Sequence, residues 1–130
     1  MTCMKIGFFL QNNKKGGLDT FVLQLLENWP EPDKLILFCN ASHPGLGFLR
    51  SNMPKIKIVP YKFLINQDLD IKLNKFSSYI KVFLKILFWI WGYFYQVHIL
   101  KSFFLKYELD RLLVINGGHP GGDACLSAVI

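Results

Sequence analysis

At 130 residues the chain has room for one domain and not two, and it is long enough to bury about two-thirds of its unfolded surface. An apolar fraction of 52% with only 18% charged residues excludes an intrinsically disordered chain. Fifteen Lys and Arg against nine Asp and Glu leave a net charge of +6, which suits an anionic partner: a phosphate-bearing ligand, nucleic acid or an anionic lipid surface.

The three cysteines, Cys3, Cys39 and Cys125, are odd in number and widely spaced, with no C-x-x-C pair. That pattern is neither a disulfide framework nor a zinc ribbon, and it reads as small buried hydrophobes in a reducing compartment. At the start of the chain the apolar run 6–10 is too short for a signal-peptide core and no small-residue cleavage site follows. A cytoplasmic chain that opens on a buried β-strand is therefore expected.

Residues 5–10 form a short continuous apolar run ending in turn formers, as in a parallel strand covered on both faces. After the loop 11–17, Leu18, Phe21, Val22, Leu25, Leu26 and Trp29 recur at steps of three and four, the apolar stripe of a helix. Asp19 falls in its first turn, where the helix dipole favours negative charge, and Pro30 and Pro32 end it. Residues 35–39 predict a second strand, 40–47 a turn-rich stretch, and 56–59 a third strand stopped by Pro60. Strand, helix, strand in that order is a βαβ unit with a parallel sheet.

From 76 to about 107 the chain is apolar and aromatic, which predicts one long helix. The uncharged residues between Lys85 and Lys101 cover only ~22 Å, short of a ~30 Å hydrocarbon core. Lys81, Lys85, Gly92 and Gln96 share one narrow stripe, and the rest of the surface is apolar. Three placements fit these residues: packed within the domain, lying in a membrane interface with Lys81, Lys85, Trp89 and Trp91 in contact, or spanning with snorkelled lysines. A fourth strand over 111–116 then runs into Gly117-Gly118-His119-Pro120-Gly121-Gly122-Asp123, and 124–130 starts a helix without a C-cap, so a partial chain is expected.

Two loops thus leave strand carboxyl ends and enter helix N-termini, the place where open α/β sheets bind ligands and where phosphates find amides. In Lys14-Lys15-Gly16-Gly17 the paired glycines would let backbone amides approach an anion; the plain alternative is a tight turn. Neither loop is a Walker A motif, and His119 breaks a G-x-G-x-x-G reading of the second, which disfavours a dehydrogenase-type dinucleotide site. His119 has the chemistry of a hydrogen-bond donor or acid–base group, or is a loop histidine without a task; Asp123 either orients it or sits in the first helical turn. His43, in a His-Pro-Gly turn, is expected to be solvated, and His98 an interior or interface group. Histidine and cysteine spacing gives no metal site, no G-x-S-x-G elbow occurs, and the scattered lysines do not form a nucleic-acid interface.

The N-terminal strand, the Gly16-Gly17 opening of an amphipathic helix and the Asn116-Gly117-Gly118-His119-Pro120-Gly121-Gly122 loop together resemble the amino-terminal domain of retaining glycosyltransferases of the GT-B fold, glycosyltransferase family 4. The resemblance covers most of the chain, although the family often carries Glu or Ala near the position of Asp19. It implies the N-terminal half of a GT-B fold: a Rossmann-like open parallel sheet with flanking helices, incomplete at its C-terminus. It further implies transfer of a sugar from a nucleotide-sugar, the donor substrate, to a glycan or glycolipid acceptor held by this domain. No further cofactor and no metal is implied. By that analogy Gly16, Gly17, Gly117 and Gly118 lie at the donor diphosphate or acceptor, and His119 meets the transferred sugar or assists at the transition state. Peripheral contact with the inner face of the plasma membrane is implied too, because many members act on lipid-linked acceptors. The family's second domain, which binds most of the nucleotide-sugar, is not in these residues, so the chain is expected to be inactive alone. The alternatives are a non-catalytic membrane-associated protein built around the aromatic helix, and a nucleotide-binding module without transferase activity.

Overall fold

A computed structural model describes residues 3–30, 33–62 and 72–116. In chain order these form β1 (Lys5–Gln11), α1 (Gly17–Glu27), β2 (Lys34–Asn40), α2 (Leu46–Asn52), β3 (Lys57–Tyr61), α3 (Ser78–Tyr107) and β4 (Arg111–Asn116). The four strands make one parallel sheet in the order β3-β2-β1-β4, with Gly7 opposite Ile36 on one side and Leu112 on the other. The chain is α/β with helices flanking a parallel sheet, consistent with a Rossmann-like open sheet.

Side chains alternate across a strand, so an apolar run must be covered on both faces. On one face Ile6, Phe8 and Leu10 of β1 pack with Leu37 and Cys39 of β2 against Val22 and Leu26 of α1 and Leu49 of α2. On the other, Phe9, Ile36, Phe38, Val59 and Tyr61 pack against Leu100 of α3, with Phe103, Phe104 and Tyr107 closing the layer. The ring of Phe38 meets those of Phe103, Phe104 and Tyr107 edge-on at 5.1, 5.4 and 5.2 Å. Such contacts add about 0.5–1.5 kcal/mol each beyond area burial.

Several local expectations change. β3 continues through Pro60 to Tyr61, because β3 is an edge strand and its missing N–H removes no ladder bond. The expected turn region resolves at its end into the short helix α2. On α1 only the inner part of the stripe is covered: Val22 and Leu26 are buried, whereas Phe21 is 54% exposed. Cys39 is buried as expected, Cys3 is exposed, and Cys125 lies outside the described residues.

Helix α3 is much longer than the sheet is deep. Its 30 residues measure about 45 Å against about 23 Å for a seven-residue strand. Its C-terminus turns on Glu108, in the left-handed region at φ 49. Asp110 N then donates to Lys5 O at 2.9 Å and Lys5 N to the Asp110 carboxylate at 2.7 Å. These bonds seat the end of α3 at the amino edge of the sheet, so the helix runs antiparallel to the strands and its N-terminal part passes beyond their carboxyl edge. Gln96 and Leu100 are its buried residues, and residues 78–95, roughly 27 Å of helix, extend past them. His98, expected inside, is exposed.

Candidate functional site

In a parallel sheet the order of the strands says where a crevice opens. Here β1 connects to β2 on one side while β4 lies on its other side, so the strand order reverses between β1 and β4. The register places Gln11 opposite Asn116, the last residues of these two strands. The carboxyl ends of β1 and β4, each followed in the sequence by a glycine-rich stretch, are therefore neighbours at the switch point. Gly117, Gly118, His119 and Asp123 lie outside the described residues, and only the first loop has a geometry to report.

That loop is held from below by a polar network joining β1, α1, β2 and the turn after β2. Asn40, buried at the end of β2, accepts from Asn12 N at 2.9 Å and donates from Nδ2 to Asn12 O at 2.8 Å. The same amide reaches Ser42 Oγ at 3.1 Å and Asn13 Oδ1 at 3.4 Å. Asn12 Oδ1 in turn accepts from Lys14 N at 3.2 Å. Paired side-chain and backbone bonds of this kind fix a loop more tightly than its composition alone would.

Asp19 is the hub. It is 1% exposed and spends its carboxylate on three donors: Gly16 N at 3.0 Å, Asn12 Nδ2 at 3.1 Å and His43 Nε2 at 2.8 Å. Asp19 N also donates to Gly16 O at 3.0 Å, closing a reciprocal cap on the first turn of α1. An ionised carboxylate only accepts, so the His43 proton shared with it sits on Nε2. His43 is 3% exposed, and its Nδ1 has no partner among the described residues. The expectation of a solvated His43 is thereby overturned: a partner 24 residues away makes its burial affordable. Gly45 lets the pair close, because a Cβ there would stand 2.6 Å from Asp19 Oδ2 and collide with the His43 ring. The neighbouring Cys39 thiol is pushed up to about 12, first by burial and then by the Asp19 charge, so it stays protonated and is no nucleophile.

Above this network the loop is open. A Cβ on Gly16 or Gly17 would meet nothing within 4 Å, and the Gly16 backbone (φ 172) is extended and available to any residue. Neither glycine is demanded by the chain's own packing. Gly16 N is used by Asp19, which leaves the Gly17 and Leu18 amides, at the positive end of α1, as donors without an acceptor among the described residues. Lys14 and Lys15 are exposed beside them, and Lys15 Nζ stands 5.2 Å above the Phe48 ring. The loop thus combines two amides at a helix N-terminus with two exposed lysines.

No group of His, Cys, Asp and Glu able to hold a metal occurs among the described residues. A cavity of about 740 Å³ lies at the opposite, amino edge of the sheet, lined by Trp29, Asp33 and Met53 among others. The Asp33 carboxylate there is committed to Met4 N and Trp29 Nε1. Lys81, Lys85, Trp89 and Trp91 all lie on the part of α3 beyond the sheet, away from this network.

Sequence reading missed Asn40, His43 and Gly45 as parts of the site. The single local signal for them is the glycine two residues after His43. No protein-family model matches the chain, and neither a curated protein nor a solved structure is significantly similar to it.

Proposed function

We propose that this chain supplies the acceptor-side, N-terminal GT-B half of a glycosyltransferase that moves a sugar from a nucleotide-sugar to a glycan or lipid-linked acceptor. The observation that carries the reading is the adjacency of the carboxyl ends of β1 and β4, each followed in the sequence by a glycine-rich stretch, where the strand order reverses. In this reading the Gly17 and Leu18 amides, with Lys14 and Lys15, bind the donor diphosphate. Gly16 and Gly17 keep the approach free of side chains, and the network under Asp19 holds the amides in place without rearrangement on binding. Gly117 and Gly118 line the other side, and His119 contacts the transferred sugar. The donor nucleotide-sugar is the substrate, and the second half of the cleft is supplied by a separate domain.

The test is a transfer assay on the complete translation product of the reading frame that contains this chain. Labelled UDP-, GDP- and ADP-sugars are offered with lipid and glycan extracts as acceptors. Label should move to an acceptor from one donor, and Gly16→Trp, which fills the open approach, should abolish it. Absence of transfer from all three donors, or transfer that survives Gly16→Trp, contradicts the reading.

The exposure of α3 favours a second reading, a non-catalytic membrane-associated protein in which this helix is the working part. Under it, neither free nucleotide nor nucleotide-sugar binds at the glycine loop.

A further inference from the structure

We infer that α3 lies in the plane of an anionic lipid surface, embedding the face turned away from the sheet, and does not cross the bilayer. The inference is independent of any enzymatic activity.

Residues 78–95 carry an apolar surface that nothing in the described structure covers: Tyr79 is 90% exposed, Trp91 75%, and Trp89 and Phe94 68% each. A contiguous patch of this kind on a soluble surface marks an interaction site. Its direction follows from the helix's own periodicity. Lys81, Lys85, Gly92 and Gln96 form a stripe that continues, in steps of four, three and four, through Leu100, Phe103 and Tyr107. Those last three residues pack on the sheet, so the polar part of the stripe looks to the same side as the domain. The uninterrupted apolar face, with Phe83, Ile90 and Phe94, points away from it.

Topology excludes a span. β3 precedes α3 and β4 follows it, and both belong to the same rigid sheet. A chain that leaves a sheet and returns to it crosses a membrane an even number of times. The one helix among the described residues apolar enough to cross is α3. A second crossing would fall to residues 62–77, which carry Lys62, Asp68, Asp70, Lys72 and Lys75. Charges at that density do not pass through hydrocarbon. The last turns of α3 are also committed to the sheet, which leaves too little free apolar length for a ~30 Å core.

Charge selects the occupant. Within α3 stand Lys81, Lys85, Lys101 and Lys106 and no Asp or Glu. Two copies of such a helix side by side would repel each other, whereas an anionic lipid surface attracts it. Trp91 and Tyr79, which flank the apolar face, settle at headgroup depth.

The test is flotation with phosphatidylcholine vesicles, with and without phosphatidylglycerol. The protein should float with the anionic vesicles and be released by high salt. The double variant Lys81→Glu, Lys101→Glu should weaken partitioning by at least roughly 30-fold, each lysine contributing about a factor of five. Tryptophan emission should be quenched by bromines placed shallow in the acyl chains more than by bromines at the bilayer centre, and Trp91→Phe should remove that quenching. Four results overturn the inference. They are no flotation with anionic vesicles, flotation indifferent to the charge reversal, quenching strongest from the centre, and a lipid-free dimer that buries Trp89 and Trp91.

Discussion

Gly17 and Gly45 sit in two loops at the same edge of the sheet and answer opposite constraints. At Gly45 the chain itself forbids a side chain, since a Cβ would press on the buried Asp19–His43 pair. Gly45→Ala should therefore cost about 1–3 kcal/mol of stability in urea unfolding. At Gly17 the chain permits one: the position is the first of α1 and opens on empty space. Gly17→Ala should raise stability by roughly 0.5 kcal/mol, because alanine loses less backbone freedom on entering a helix. Cys39 gives a pH-dependent counterpart. Its folded-state thiol is raised from 9.0 to about 12, mainly by burial, so the folded state holds its proton more tightly than the unfolded chain does. The stability from this group is complete below pH 9 and declines as pH rises towards 12, at up to about 1.4 kcal/mol per pH unit. Urea midpoints measured across that range should fall less steeply in Cys39→Ala.

Among the elements, those built on a continuous apolar run were legible in the sequence, whether central in the sheet like β1 and β2 or at its described edge like β4. They read as strands because a run such as Gly7-Phe8-Phe9-Leu10 has no other economical use. β3 was cut short at Pro60, because the rule against proline in strands assumes a partner on both sides and β3 has one. α2 opens directly after Pro44 and Gly45 and is a single short helix, so its start looks like a turn. The site was half legible: Gly16 and Gly17 announce a loop, but the burial of His43 depends on a carboxylate distant in sequence, which no local pattern encodes. The length of α3 was readable and its exposure was not, since an apolar pattern is the same whether protein or lipid covers it. The two ends of α3 should accordingly differ in energetics. Leu100→Ala, in the layer beneath Phe9 and Tyr61, should cost about 2–4 kcal/mol in lipid-free buffer. Trp91→Ala, 75% exposed, should stay within about 0.5 kcal/mol. Urea unfolding of both variants separates the anchoring end from the projecting one.

At the scale of the whole molecule, the sheet's carboxyl edge and the overhang of α3 lie at the same end. Because α3 runs antiparallel to the strands, its apolar N-terminal part rises past the edge that carries Asn12, Gly17 and the carboxyl end of β4. A domain resting on lipid through that overhang would hold its ligand edge beside the membrane surface, within reach of an acceptor anchored there. A net charge of +6 would suit both proposed partners, a phosphate at the loop and anionic headgroups. Everything functional in this account turns on the glycine loop being an anion-binding edge. The most direct measurement is an amide NMR titration of the chain with UDP, GDP and ADP into the millimolar range. The account predicts shifts concentrated at Gly16, Gly17 and Leu18, and their loss in Gly16→Trp. A spectrum unmoved by all three nucleotides, or shifts gathered around Trp29 and Met53 at the opposite edge, would contradict it.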